Sequence, residues 1–167
     1  DKILNDGDQI SESEYTLSVL HTPGHASNHL CYLLSGEKII FTGDHIMNGS
    51  TVVIAPPDGD MAQYLNSLNN LLLFDLGCIA PGHGDVMKNP KEVVENLIKH
   101  RLNREKKVID ALSKMSRANL DELVKEVYKD VNKGLYPIAK YSLQAHLIKL
   151  MKDGKVEQIR NEFLWRF

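Results

Sequence analysis

The chain has 167 residues, 43% of them apolar, with 20 Lys+Arg against 22 Asp+Glu, 7 His, 2 Cys and a formal charge of −2 at pH 7. That apolar fraction excludes a disordered chain, and Cys31 and Cys78, each alone inside an apolar run, exclude a disulfide scaffold. No apolar run approaches the ~20 residues of a membrane-spanning helix, so no membrane partner is expected. With no signal-peptide pattern visible, the expected location is the cytoplasm, or the mitochondrial matrix in a eukaryote.

The near-neutral total hides a division. Residues 1–84 hold two lysines against ten acids, a net of −8, and five of the seven histidines; residues 85–167 hold 18 bases against 12 acids, a net of +6. Two domains with different tasks are expected, at 1–88 and 89–167.

In the acidic part the pattern is mostly strands. Residues 15–20 (Tyr-Thr-Leu-Ser-Val-Leu) alternate as a half-buried strand does. Residues 30–34 and 38–42 flank Ser35-Gly36-Glu37 and read as a hairpin. The β-branched run at 51–54 reads as a strand ended by Pro56-Pro57. Asp60, with Gln63 three residues on, should cap a helix carrying Leu65, Leu68 and Leu72. Residues 77–80 read as a short buried strand before a Pro-Gly turn. The order predicts an α/β layered sheet.

Beyond residue 84 the pattern is helical. Asn89, Pro90 and Glu92 should open a helix running to about Leu112. Asn119, with Glu122 as its partner, should cap a second helix, and a third is expected at 138–152, with Leu143, Leu147, Leu150 and Met151 on one face. A turn at Asp153-Gly154-Lys155 then leads to strands at 155–159 and 163–167, which is winged-helix order.

Three segments place a metal-competent side chain just after a strand: His21-Thr22-Pro23-Gly24-His25, Thr42-Gly43-Asp44-His45 and Ala80-Pro81-Gly82-His83-Gly84. A single histidine after a turn is ordinarily a surface or hydrogen-bonded residue, and Gly-Asp is an ordinary turn former. The joint occurrence after three strands is what points to a metal, because strand ends followed by glycine turns hold side chains over one sheet edge. Two imidazoles and a carboxylate suit zinc, iron or manganese. His29 and His45 are close enough in sequence to orient ligands or to hydrogen-bond nearby. His21 reads as packing, Ser27 and Asn28 as turn caps, and His100 and His146 as structural. With no Gly-x-Ser-x-Gly elbow and both cysteines in strands, a serine or cysteine nucleophile is not expected.

Thr22-Pro23-Gly24-His25, Gly43-Asp44 and Pro81-Gly82-His83-Gly84, in this order, resemble the later metal-binding motifs of the metallo-β-lactamase fold superfamily. About 20 residues separate His25 from Asp44 and about 40 separate Asp44 from His83, as in that family. The resemblance implies the C-terminal part of an αββα sandwich, with zinc as cofactor, one ion or two. It implies that His25 ligates one metal, Asp44 bridges both as the catalytic carboxylate, and His83 ligates the other. A metal-bridging hydroxide would be the nucleophile. The family's first motif, His-x-His-x-Asp-His, does not occur in the chain. The expectation is therefore a C-terminal portion of a longer protein, which alone binds metal weakly or not at all and is inactive.

Residues from about 89 onward resemble the winged-helix domain of the subgroup that contains the mitochondrial metallo-β-lactamase-like endoribonuclease. That implies cleavage of single-stranded RNA at a phosphodiester. Lys99, Arg101 and Arg104 on the first long helix, with Lys149 and Lys155 on the third helix and wing, are the candidate RNA contacts. Tyr128, Tyr136, Tyr141 and Trp165 read either as base-stacking or as core. Two alternatives stay open: a thioester or lactone hydrolase resembling glyoxalase II, with a small ester or thioester substrate, and a non-catalytic binding module, including a homodimer.

Overall fold

The alternating apolar runs of the first half pair into one mixed sheet, and the computed structural model describes this and the rest of the chain over residues 3–166. Its strands are β1 (Gln9–Ser11), β2 (Thr16–His21), β3 (Leu30–Leu34), β4 (Ile39–Gly43), β5 (Cys78–Pro81) and β6 (Met87–Lys88), in that spatial order. Neighbours are antiparallel except β4 and β5, which are parallel and are joined through helix α1 (Met61–Leu71). A parallel pair needs such a crossover. Asp60 caps α1, accepting from the amides of Ala62 and Gln63 at 2.8 and 3.0 Å.

One face of the sheet is covered. Leu20, Cys31, Leu33, Ile40 and Ile79 pack with Tyr64, Leu65, Leu68 and Leu71 of α1. The other face carries Val19, which is fully buried, Leu17, Leu30, Tyr32, Leu34 and Ile39, all half-buried, and Phe41, 42% exposed. One sheet and one helical layer of the αββα arrangement are thus present among the described residues.

Residues 51–54 do not form the expected strand. Val52 and Ile54 are buried in the first core, but the backbone groups of 52–54 bond to side chains rather than to a strand. Tertiary partners override β-propensity here. The short strands β1 and β6 have no counterpart in the sequence pattern, being too brief to show a period.

Helix α2 (Pro90–Met115) follows. Asn89, expected to cap it through its side chain, sits in the left-handed region (φ 59°) and makes no such bond. A side-chain cap needs extended backbone at that position, so Pro90 and the 3.1 Å bond from the Val93 amide to the Asn89 carbonyl start the helix instead. Strand β7 (Arg117–Asn119), α3 (Leu120–Val127), α4 (Tyr136–Lys152), β8 (Val156–Ile159) and β9 (Glu162–Trp165) complete a winged helix, its sheet ordered β7-β9-β8. α4 starts two residues before the expected point, with Pro137 in its first turn. The last strand ends at Trp165, and Phe167 lies outside the described residues. Asn119 and Glu122 form the expected capping box. α2 joins both cores: Val94 packs in the first, and Val108, Ala111 and Leu112 in the second, with Leu123, Leu143 and Leu147.

α1 lies directly against the turn after β2. Gly24 has φ +136°, and a methyl there would stand 2.3 Å from the Tyr64 Cα. Gly7, at φ +80°, has nothing within 4 Å. In urea unfolding, Gly7→Ala should cost about 1 kcal/mol for backbone strain alone, and Gly24→Ala about 3 kcal/mol or more, because α1 must shift. Equal losses would contradict this packing.

Candidate metal centre

β2 and β4 are both antiparallel to β3, and β5 is parallel to β4, so β2, β4 and β5 run in one direction and end at one edge. Each ends in one of the three glycine-containing segments. The Gly82 amide donates to the Gly43 carbonyl at 2.8 Å, tying the turns after β4 and β5 together. A Cβ at Gly82 would lie 3.0 Å from that carbonyl oxygen and 3.2 Å from Asp44 Oδ1, so a side chain there would crowd the carboxylate. Asp44 Oδ1 and His83 Nε2 are 3.2 Å apart, with the two side chains 47% and 72% exposed. The parallel neighbours thus bring together two predicted ligands about 40 residues apart in sequence.

His25, half-buried, directs Nδ1 to the Val53 carbonyl at 2.8 Å. A carbonyl only accepts, so Nδ1 carries the proton and Nε2 keeps a free lone pair, the tautomer of an Nε2 ligand. The donor chemistry and ring orientation fit a divalent-cation centre. They do not complete one: among the described residues, no three His, Cys, Asp or Glu side chains gather around one point.

Behind the edge lies a packed layer. His29 Nδ1 meets Thr22 Oγ1 at 2.9 Å, and burial, with His25 close by, lowers the pKa of its ring. His45 is fully buried, 5.5 Å from the His29 ring and 4.9 Å from Tyr64, and neither of its nitrogens has a partner among the described residues. Burial first, then the positive fields of its neighbours, pushes it down to about 3. His45 therefore packs as a neutral ring; it does not orient Asp44 by a hydrogen bond. Tyr64 donates its hydroxyl to the His45 carbonyl at 3.0 Å. His21 Nε2 lies 2.8 Å from the Ser27 carbonyl, and the Ser27 amide reaches Asp58. Cys31 is buried, with its thiol pushed up to about 12 by desolvation, which disqualifies it as a nucleophile.

Residues 1–83 match the family described as Metallo-beta-lactamase superfamily, and residues 120–165 match the Beta-lactamase associated winged helix domain. The chain belongs to the metallo-beta-lactamase superfamily. The Beta-lactamase-like protein 2 homolog of Drosophila melanogaster is 36% identical over 140 residues, which is 83% of this chain and 46% of that protein. An Atrochrysone carboxyl ACP thioesterase of Aspergillus chevalieri is 36% identical over 166 residues, covering 90% of this chain and 50% of that protein. The crystal structure of a metallo-beta-lactamase family protein from Thermus thermophilus shares the fold, with a TM-score of 0.85 at 22% identity over 98% of this chain and 54% of its own. The chain spans about half the length of the curated relatives it matches.

Within this superfamily fold, three of the five basic residues expected to contact RNA are engaged internally. Arg101 is buried and donates to the Val52 carbonyl at 2.6 Å, with its guanidinium 5.1 Å from the Tyr64 ring centre. Arg104 is buried, donating to the Val127 carbonyl at 2.7 Å and to Asp130 at 2.9 Å. Lys149 is paired with Glu105 and Asp153. Lys99 and Lys155 are exposed. Of the aromatic candidates, Tyr128, Tyr136 and Trp165 pack with the second core, and Tyr141 is half-exposed. The spacing Val94, Leu97, Arg101, Arg104, Val108 carries the signal for this: both arginines fall on the helix's apolar stripe. The role of the Val53 carbonyl has no such signal.

Burial is the leading cause that lowers the pKa of His29, His45, His100 and His146. The unfolded chain takes up these protons near pH 6.5 and the folded chain does not, so stability is fully present above 6.5 and is lost as pH falls. The metal-free chain should have a lower urea midpoint at pH 5 than at pH 7. His45 alone should contribute a slope of about 1.4 kcal/mol per pH unit, continuing toward pH 3. A flat profile would show these rings to be solvated.

Proposed function

We propose that this chain provides part of the metal centre of a hydrolase that cleaves thioester or ester bonds. The observation that carries the reading is the Asp44–His83 pair at 3.2 Å, on the same strand-end edge as His25, whose Nδ1 is committed to Val53. His25 and His83 would hold zinc or iron through their imidazoles and Asp44 through its carboxylate. Such a cation, when bound, lowers the pKa of water toward ~7 and polarises the bond to be broken. The protein's own part is positional. Gly82 lets the turns carrying Asp44 and His83 meet, the Val53 carbonyl keeps the His25 proton on Nδ1, and the His45–Tyr64 layer keeps water from the rear of the site.

The thioester preference is supported by the named fungal thioesterase and by the inward commitment of Arg101, Arg104 and Lys149, which removes much of a phosphate-binding surface. A second reading, RNA phosphodiester cleavage, is favoured by the exposure of Lys99 and Lys155 and by the subgroup resemblance. In the whole protein loaded with zinc, a chromogenic acyl-thioester should be hydrolysed, and Asp44→Asn should lower kcat/KM by about a thousandfold, or ~4 kcal/mol. No thioester turnover, together with cleavage of single-stranded RNA, would replace this reading with the second. In that case Lys99→Glu and Lys155→Glu should each weaken RNA binding and reduce its salt slope by about one.

A further inference from the structure

The segment at 52–54 belongs to no sheet, yet each of its three residues has a backbone group held by a side chain from elsewhere. The Val52 carbonyl accepts from Arg101 Nη2 of α2 at 2.6 Å. The Val53 carbonyl accepts from His25 Nδ1 at 2.8 Å. The Ile54 amide donates to Ser142 Oγ of α4 at 3.3 Å. The three residues are consecutive, so holding the Val52 carbonyl to α2 and the Ile54 amide to α4 fixes the peptide unit that carries the Val53 carbonyl, which His25 meets, and the one before it. Arg101, Ser142, Val52 and Ile54 are all buried, while His25 and Val53 are half-buried. A second link joins the same two regions: Lys152 of α4 pairs with Asp60 at 2.6 Å, and the Asp60 amide donates to the Gly24 carbonyl, one residue before His25.

We propose that Arg101 and Ser142 are positioning residues that set the tautomer and orientation of His25, so that the linker helix and winged helix brace the metal site from behind. The brace rests on reading His25 as a metal ligand only for its purpose; the geometry of the brace exists without the metal. A loosened Val53 carbonyl would release the Nδ1 proton, and the ring would drift toward the Nε2–H tautomer, which cannot ligate through Nε2.

The test is 15N NMR of the histidine rings in the metal-free chain at pH 8, with the His25 signals assigned through His25→Gln. The parent chain should show His25 as Nδ1–H. Ser142→Ala and Arg101→Met should each move His25 toward a mixture of tautomers, and Ser142→Ala should also speed exchange of the Ile54 amide by about tenfold. Ser142→Thr restores the hydroxyl and should restore the parent signals. Arg104→Met removes another buried arginine, which bonds to Val127 and Asp130, and should leave His25 unchanged even where it lowers the melting temperature. A His25 ring that stays Nδ1–H in folded Ser142→Ala overturns the proposal, and this variant decides the matter if Arg101→Met does not fold. In the whole protein, both brace variants should weaken zinc binding by about 10- to 100-fold. If His25→Ala leaves zinc affinity intact while the tautomer still responds to Ser142→Ala, the ligand assignment fails and the brace stands.

Discussion

The parallel pairing of β4 with β5 is the constraint on which the rest of the molecule depends. Parallel neighbours cannot be joined by a tight turn, so the chain must leave the sheet and return through α1. That helix covers the sheet face carrying Leu33, Ile40 and Ile79, and its backbone presses on the turn at Gly24. The same pairing sets the ends of β4 and β5 side by side, which is why Asp44 and His83 meet. Core packing and site geometry therefore share one cause.

Charge is distributed to match. The acidic, histidine-bearing half concentrates its polar chemistry at the strand-end edge, while the basic half places several of its cations inside. Arg101 and Arg104 lie on the apolar stripe of α2, where a buried guanidinium has to find carbonyls or carboxylates. Arg101 finds Val52 in the first core, and Arg104 finds Val127 in the second and Asp130 at its surface. The linker helix thus ties the two cores together by directional bonds as well as by contact.

Much of this is legible in the residues. The hairpin about Ser35-Gly36-Glu37, the Asp60 cap, the Asn119–Glu122 box and the three strand-end segments are local signals, each written in a few neighbouring residues. Residues 51–54 mislead because their β-branched composition reports only preference, and their partners lie up to 88 residues away. Asn89 misleads for a related reason: its residue type is right for a cap, but its backbone is left-handed where a side-chain cap needs extended backbone, and its side chain makes no bond to the helix amides.

By itself the sequence determined the class of the fold and most of its longer elements, and it set metal-competent side chains just after three strands, because periodicity, caps and glycine turns act over short distances. Only the tertiary structure decided which of those side chains meet, which tautomer His25 holds and which cations face inward. Those outcomes depend on strand direction and on backbone groups brought together from remote segments, and no local window contains them. Net charge behaves in the same way: 20 Lys+Arg enter the sum equally, although folding hides Arg101 and Arg104 and leaves Lys99 and Lys155 in water.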